Sequence, residues 1–139
     1  MRIMAIDYGV AHTGIAISDL TGLLAGYTTT LHSRRQEDIL AGIASLVREY
    51  GVTELVLGYP KNMDGTSGPR AEKAQELAER LEAALELPVR LWDERRTTID
   101  AHNILAVAGQ NAKKRKKTVD AVAAALILEG YLTYRRLQG

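Results

Sequence analysis

Residues 3–19 of the chain read IMAIDYGVAHTGIAISD. An apolar run, Ile3-Met4-Ala5-Ile6, stops at an acid, Asp7. Gly9 follows, and a second run, Ile15-Ala16-Ile17, ends at Asp19. Apolar runs this short, bounded by turn residues, read as strands buried on both faces. The pattern predicts a strand over Arg2–Asp7, a tight turn from Gly9 to Thr13 and an antiparallel second strand over Thr13–Ser18. A carboxylate at the C-terminal end of a buried central strand is well placed to ligate a metal. Asp is also favoured in turns for its own local hydrogen bonds, so this stretch alone leaves both readings of Asp7 open.

Further along the chain, Leu24–Leu31 reads as a third strand after the Thr21-Gly22 turn, which makes the first three strands an antiparallel meander. Gln36–Tyr50 is a predicted helix, because Ile39, Leu40, Ile43, Leu46, Val47 and Tyr50 recur at three- and four-residue spacing. Gly51 is placed to end it. Glu54–Gly58 is a fourth strand. The long loop from Gly58 to Arg70, GYPKNMDGTSGPR, has little to bury, and loops of that length are functional or mobile. A second helix is predicted from about Pro69 to Leu85 with Ala71, Ala74, Leu77, Ala78, Leu81 and Leu85 on one face. Pro88–Trp92 is a fifth strand that ends in Asp93-Glu94. Thr97 and Asp100 read as the capping box of a third helix that fades near Gly109. The block Lys113-Lys114-Arg115-Lys116-Lys117 precedes a final helix, Val119–Leu137. That helix is expected to turn Val119, Val122, Ala123, Leu126 and Ile127 inward and to carry Asp120 in its first turn.

The expected fold is therefore α/β: one domain, residues 1–139, with a mixed five-stranded sheet and helices on both faces. Strands four and five run parallel to strand one. At 139 residues the chain is long enough for a substantial core, and 46% apolar with 25% charged residues is ordinary for a globular protein. It has no cysteine, which excludes disulfides, thiolate metal sites and a cysteine nucleophile and fits a cytoplasmic protein. No secretory h-region and no membrane-spanning run is present.

Ligands of such sheets gather at the carboxyl ends of the central strands. Asp7 and Asp93-Glu94 lie at such ends, and Asp120 starts a helix able to join them. Three carboxylates from separate segments suit Mg²⁺ or Mn²⁺, hard cations that take oxygen ligands. Each acid also has a plainer reading: Asp93 or Glu94 as a turn residue, Asp120 as a complement to the helix macrodipole. It is their joint placement at element ends that points to a site.

Asp7-Tyr8-Gly9 with Gly14 and Ser18-Asp19, then Gly58-Tyr59-Pro60-Lys61-Asn62-Met63-Asp64-Gly65-Thr66, Asp93-Glu94-Arg95 with Thr97-Thr98, and Asp120-Ala121-Val122-Ala123-Ala124 occur in that order. Together they resemble the YqgF family, also described as RuvX, of RuvC-like Holliday junction resolvases. The resemblance covers nearly the whole chain. It implies a ribonuclease H-like fold and a nuclease that trims precursor 16S ribosomal RNA or resolves four-way DNA junctions. It implies Asp7, Glu94 and Asp120 as catalytic, metal-binding acids, with Asp93 a rival of Glu94. The two neighbours face opposite ways on an unbent strand, so at most one points at Asp7. Related resolvases carry a fourth acid one turn before the last, where this chain has Lys117. The family's basic pair after the first glycine is replaced here by Ala11-His12.

The remaining cations fit a nucleic-acid partner. Lys113, Lys114, Arg115, Lys116 and Lys117 lie close to Asp120, Lys61 and Arg70 sit in the long loop, and Arg95 and Arg96 flank the second acid. All are read as phosphate contacts, which position a backbone without reading its sequence. The plainer reading of the block is a solvated charge run. With no Phe, and with Trp92 read as core, recognition by shape is expected. His12, His32 and His102 show no metal-ligand spacing and read as structural or surface residues. Two further function classes compete with the nuclease. A phosphotransferase of the actin-like superfamily shares the Asp-x-Gly turn but needs two domains. A non-catalytic nucleic-acid-binding module would bind without cutting. A junction resolvase makes two symmetric cuts and is expected to be a homodimer.

Overall fold

The structure is a computed structural model that describes residues 2–21, 25–59, 68–93 and 112–138, the last with side chains from 121 onward. Its elements in chain order are β1 (Ile3–Tyr8), β2 (His12–Ser18), β3 (Ala25–His32), α1 (Gln36–Tyr50), β4 (Glu54–Tyr59), α2 (Pro69–Leu85), β5 (Val89–Asp93) and α3 (Ala112–Gln138). The five strands form one sheet in the order β3-β2-β1-β4-β5. β1 pairs antiparallel with β2 and parallel with β4, while β3 is antiparallel to β2 and β5 parallel to β4. This is the mixed sheet expected from the sequence. The carboxyl ends of β1, β4 and β5 share one edge. The helix predicted after Thr97 and most of the 58–70 loop lie outside the described residues.

β1 is central, and its four apolar residues Ile3, Met4, Ala5 and Ile6 are all fully buried. Alternation sends them to two different cores. Met4 and Ile6 join Ile15, Ile17, Leu55 and Leu57 beneath Ile39 and Ile43 of α1 and Leu77 and Leu81 of α2. Ile3 and Ala5 join Ala16, Val56 and Trp92 beneath Ala124, Ile127 and Leu128 of α3. Trp92 is thus core, as expected. Full burial of a side chain such as Ile contributes about 1.5–3 kcal/mol, and each capping interaction about 1 kcal/mol. Packing therefore decides these helices. α1 has no side-chain N-cap bond at all, yet it runs its whole predicted length to Gly51, whose left-handed backbone (φ 66°) closes it. α2 opens on Pro69 in its first turn, also as predicted.

α3 departs from the expectation twice. It begins at Ala112 rather than Val119, so the basic block is inside the helix and Asp120 lies past its second turn. The macrodipole reading of Asp120 fails with that start, because the effect is confined to the first turn. The inward ridge is also displaced by one position. Ala124, Ile127, Leu128, Tyr131 and Leu132 are buried, whereas Val122, Ala123 and Leu126 are only half-buried.

The cause of that displacement is a buried carboxylate. Glu54, 8% exposed at the start of β4, accepts a hydrogen bond from the Tyr131 hydroxyl and another at 3.2 Å from Arg135, and Arg90 stands 4.0 Å away. A buried carboxylate without partners is costly, so the helix rotates to present Tyr131 and Arg135 to it. Burial, then the bond to Glu54, pushes the Tyr131 hydroxyl up to about 12. The folded state holds the neutral phenol. The contribution is therefore complete below pH 10 and is lost as pH rises through about 12. Tyr131→Phe should lower unfolding free energy by about 1.5–3 kcal/mol at neutral pH, the range for a hydrogen bond to a charged group. It should also flatten the stability loss between pH 10 and 12. Urea titrations of both proteins across pH 7–12 check the two expectations together.

Candidate functional site

Asp7 stands at the carboxyl end of β1, half-buried. It continues the series Ile3, Ala5, and so belongs to the sheet face that α3 covers. Its cross-strand partner in the register is Gly14, which has no side chain to set opposite it. No hydrogen bond or ion pair to Asp7 occurs among the described residues. Just after the strand, Gly9 begins the turn. A Cβ there would stand 2.3 Å from the carbonyl oxygen of His12, closer than atoms can approach. The glycine of the Asp-x-Gly turn is thus required by backbone contact.

Asp93 ends β5 opposite Tyr59 in the register. Trp92 is on the α3 face, so Asp93 takes the other face, the one on which Tyr59 packs against the α1–α2 core. The structure does not bring Asp93 to Asp7. Glu94, Lys61, Arg95 and Arg96 lie outside the described residues. Asp120 and the cations from Lys113 to Lys117 fall in the first three turns of α3, with their side chains outside the described part. Among the described residues no group of three or more acids and histidines is arranged to hold a metal ion.

Three further residues stand at this edge, two of them the histidines that the sequence reading took as structural or surface residues. His12 and His32 face each other across β2 and β3, with Nδ1 atoms 2.9 Å apart and rings edge to face. Their positions alternate with Gly14 and Ala16, which puts the pair on Asp7's face. The signal was cross-strand register, which spacing along one chain does not contain. Tyr8 takes the opposite face, where its hydroxyl accepts a 3.4 Å hydrogen bond from Gln36, itself bonded to Arg80 of α2. Beside Tyr8, a shallow cavity of about 120 Å³ is lined by Tyr8, Gly9, Val10, Arg34, Arg70 and Lys73. Arg70 was expected to meet phosphate. Arg34 and Lys73 were not, because they lie far apart in the sequence and only the fold gathers them.

A family model described as RuvX, Holliday junction resolvase, matches residues 1–134. A protein of Halothermothrix orenii named "Putative pre-16S rRNA nuclease" is 44% identical over 135 residues, 97% of this chain and 96% of that protein. One of Bacillus subtilis with the same name is 43% identical over 134 residues, 95% of this chain and 97% of its own. Among solved structures, the RuvC of Thermus thermophilus in complex with a Holliday junction superposes with a TM-score of 0.67 at 14% identity, covering 99% of this chain and 96% of that one. The fowlpox virus resolvase, also bound to a junction, gives 0.65 at 12% identity, covering 97% and 99%. At these identities the structural likeness bears on the fold, which is ribonuclease H-like.

Gly9→Ala should destabilise the protein by about 1–3 kcal/mol, the usual cost of overpacking, and should shift the amide resonances of Asp7 and His12. A thermal melt paired with an ¹H–¹⁵N spectrum reads both. A stable variant with unmoved resonances would mean that the turn tolerates a side chain.

Proposed function

The chain belongs to the RuvX family of Holliday junction resolvases, and from that premise we propose that it is a metal-dependent nuclease acting on structured nucleic acid, with the ends of precursor 16S rRNA as its first substrate and four-way DNA junctions as its second. The observation that carries the reading is Asp7: a half-buried carboxylate at the end of the central strand, without a described partner, opposite a glycine.

An unpaired half-buried carboxylate suits a hard divalent cation, Mg²⁺ or Mn²⁺. Asp7, Glu94 and Asp120 are the residues that would hold it. Glu94 is preferred to Asp93 because Asp93, the neighbour of Trp92 on β5, is on the face away from Asp7. The ion, when bound, supplies an activated water and stabilisation of the leaving oxygen. The chain's own acids orient that centre, and α3 covers the face behind them. Lys61, Arg70, Arg95, Arg96 and the cations Lys113–Lys117 contribute sequence-independent phosphate contacts, which hold a strand by its backbone. His12 and His32, on Asp7's face, offer hydrogen bonds to the substrate near the cut.

The two substrates make different demands. A junction has two symmetric cuts and calls for a homodimer, whereas trimming an RNA end needs one active centre. No helix among the described residues is long and apolar enough to cross a membrane.

Asp7→Asn should reduce metal-dependent cleavage more than about 100-fold, since even groups that merely orient ligands cost 10–100-fold. Glu94→Gln should match it, while Asp93→Asn should stay within about tenfold of the native rate. Cleavage of a labelled precursor-rRNA fragment and a four-way junction, with Mg²⁺, Mn²⁺ or chelator, measures all three. Equal loss in Asp93→Asn and Glu94→Gln would overturn the assignment by face. Binding of both substrates with no cutting in any metal would leave a non-catalytic binding module.

A further inference from the structure

Strand alternation gives the edge of β1 two unlike faces. Asp7 points to one, and its neighbour Tyr8 to the other, where Arg34, Arg70 and Lys73 meet around the 120 Å³ cavity. The three cations come from separate places: Arg34 from the segment entering α1, Arg70 and Lys73 from the first turns of α2. None of them has an ion-pair or hydrogen-bond partner among the described residues, and no described lining residue is acidic. Residues 70 and 73 are three apart on a helix, so their side chains are neighbours, a like-charge arrangement that is mildly unfavourable on its own. An anion between them reverses the sign of that interaction.

The cavity wall is fixed rather than fluid. Tyr8 is held by Gln36 of α1, and Gln36 by Arg80 of α2, so the helix that carries Arg70 and Lys73 and the helix that Arg34 leads into are both tied to the strand at this point. Gly9 brings bare backbone to the rim. Thr13, opposite Tyr8 in the register and on the same face, keeps a fully buried hydroxyl with no partner among the described residues. The apolar part, Tyr8 and Val10, suits a ribose or base attached to the anion.

We propose that Arg34, Arg70 and Lys73 form a phosphate pocket on the sheet face opposite the acids, which holds a phosphate of the substrate strand other than the one being cut. This rests on the nuclease reading for its substrate, but the pocket itself stands on its own residues. A terminal phosphate, nearly dianionic at neutral pH, and an internal phosphodiester share the required chemistry. A terminal phosphate would make the pocket a ruler that sets the cut relative to a strand end, while an internal one would make it a clamp.

The test measures binding in chelator, so that cleavage plays no part. Fluorescence anisotropy compares one short RNA strand carrying a 5′-phosphate with the same strand carrying a 5′-hydroxyl. The native protein is set against Arg34→Gln/Lys73→Gln, and against Arg48→Gln/Arg136→Gln, which removes the same charge from exposed positions outside the pocket. Thermal melts establish that both variants fold. With a terminal phosphate in the pocket, the phosphorylated strand binds the native protein about tenfold more tightly, and the pocket variant alone loses that preference. With an internal phosphate, both strands bind alike and the pocket variant weakens both about tenfold, lowering the salt slope by about one for each cation removed from a phosphate. A pocket variant that binds both strands as the control variant does overturns the proposal and leaves the nuclease reading intact. Failure of the native protein to bind either strand overturns the proposal, while the nuclease reading is decided separately by cleavage of the structured substrates.

Discussion

A single buried carboxylate fixes how the last helix lies on the sheet. Glu54 opens β4 in a nearly solvent-free position, between Tyr131 and Arg135 of α3 and near Arg90 of β5. Removing one partner of such a group costs far more than the net worth of the interaction, because the charge stays buried. That asymmetry gives it specificity that apolar contacts lack. Two ridges of α3 are apolar enough to pack on β1, and burial alone separates them weakly. Only one of them brings a phenol and a guanidinium to Glu54. The rotation of the helix, and with it the ridge on which position 120 falls, follows from a bond at the opposite edge of the sheet from Asp7.

The second organising constraint is the period of β1. Its odd positions supply the core under α3 and end in Asp7. Its even positions supply the core under α1 and α2 and end in Tyr8. The same alternation that builds two cores from one strand therefore separates two chemistries at its end, with Asp7 on one face and Arg34, Arg70 and Lys73 on the other. A polyanionic strand drawn to the cations is kept from lying wholly on the carboxylates, which would repel it unless a metal ion stood between them.

These constraints explain what could be read in the sequence. β1, β2, α1 and α2 are strongly periodic or tightly bounded, and their positions follow from local pattern. Asp7 was legible for the same reason, as the abrupt end of an apolar run. The start of α3 was not, because Lys and Arg are good helix formers yet look like a solvated run when no apolar residue marks the period. Its ridge was misread in part because Val122 and Leu126 outrank Ala124 in apolar character, and nothing local reports that Glu54 is buried. The His12–His32 pair and the meeting of Arg34 with Lys73 depend on register and on helix docking, which no window of sequence contains. The face that Asp93 takes follows from Trp92, whose packing beneath α3 no window of sequence reports.

The early start of α3 changes what its cations do. In a free segment before the helix, Lys113–Lys117 would act together as a flexible polycation. Inside a helix, successive residues turn by about 100°, so five consecutive positions cover the whole circumference. Positions 113, 117, 120 and 124 share one ridge, with spacings of four, three and four residues, and Ala124 is where that ridge meets the sheet. Positions 113, 116 and 117, which are seven, four and three residues before 120, are thus on its side of the helix, and positions 114 and 115 are on the other. Lys117, one turn before Asp120, occupies the position of the fourth acid in related resolvases. Its cation cannot bind a metal ion, but on this ridge it stands one turn from the acid proposed to do so. In the nuclease proposed above, Lys117 would thus stand where a carboxylate needs an ion to neutralise it, and Asp7, Glu94 and Asp120 would be the ligands left to hold one.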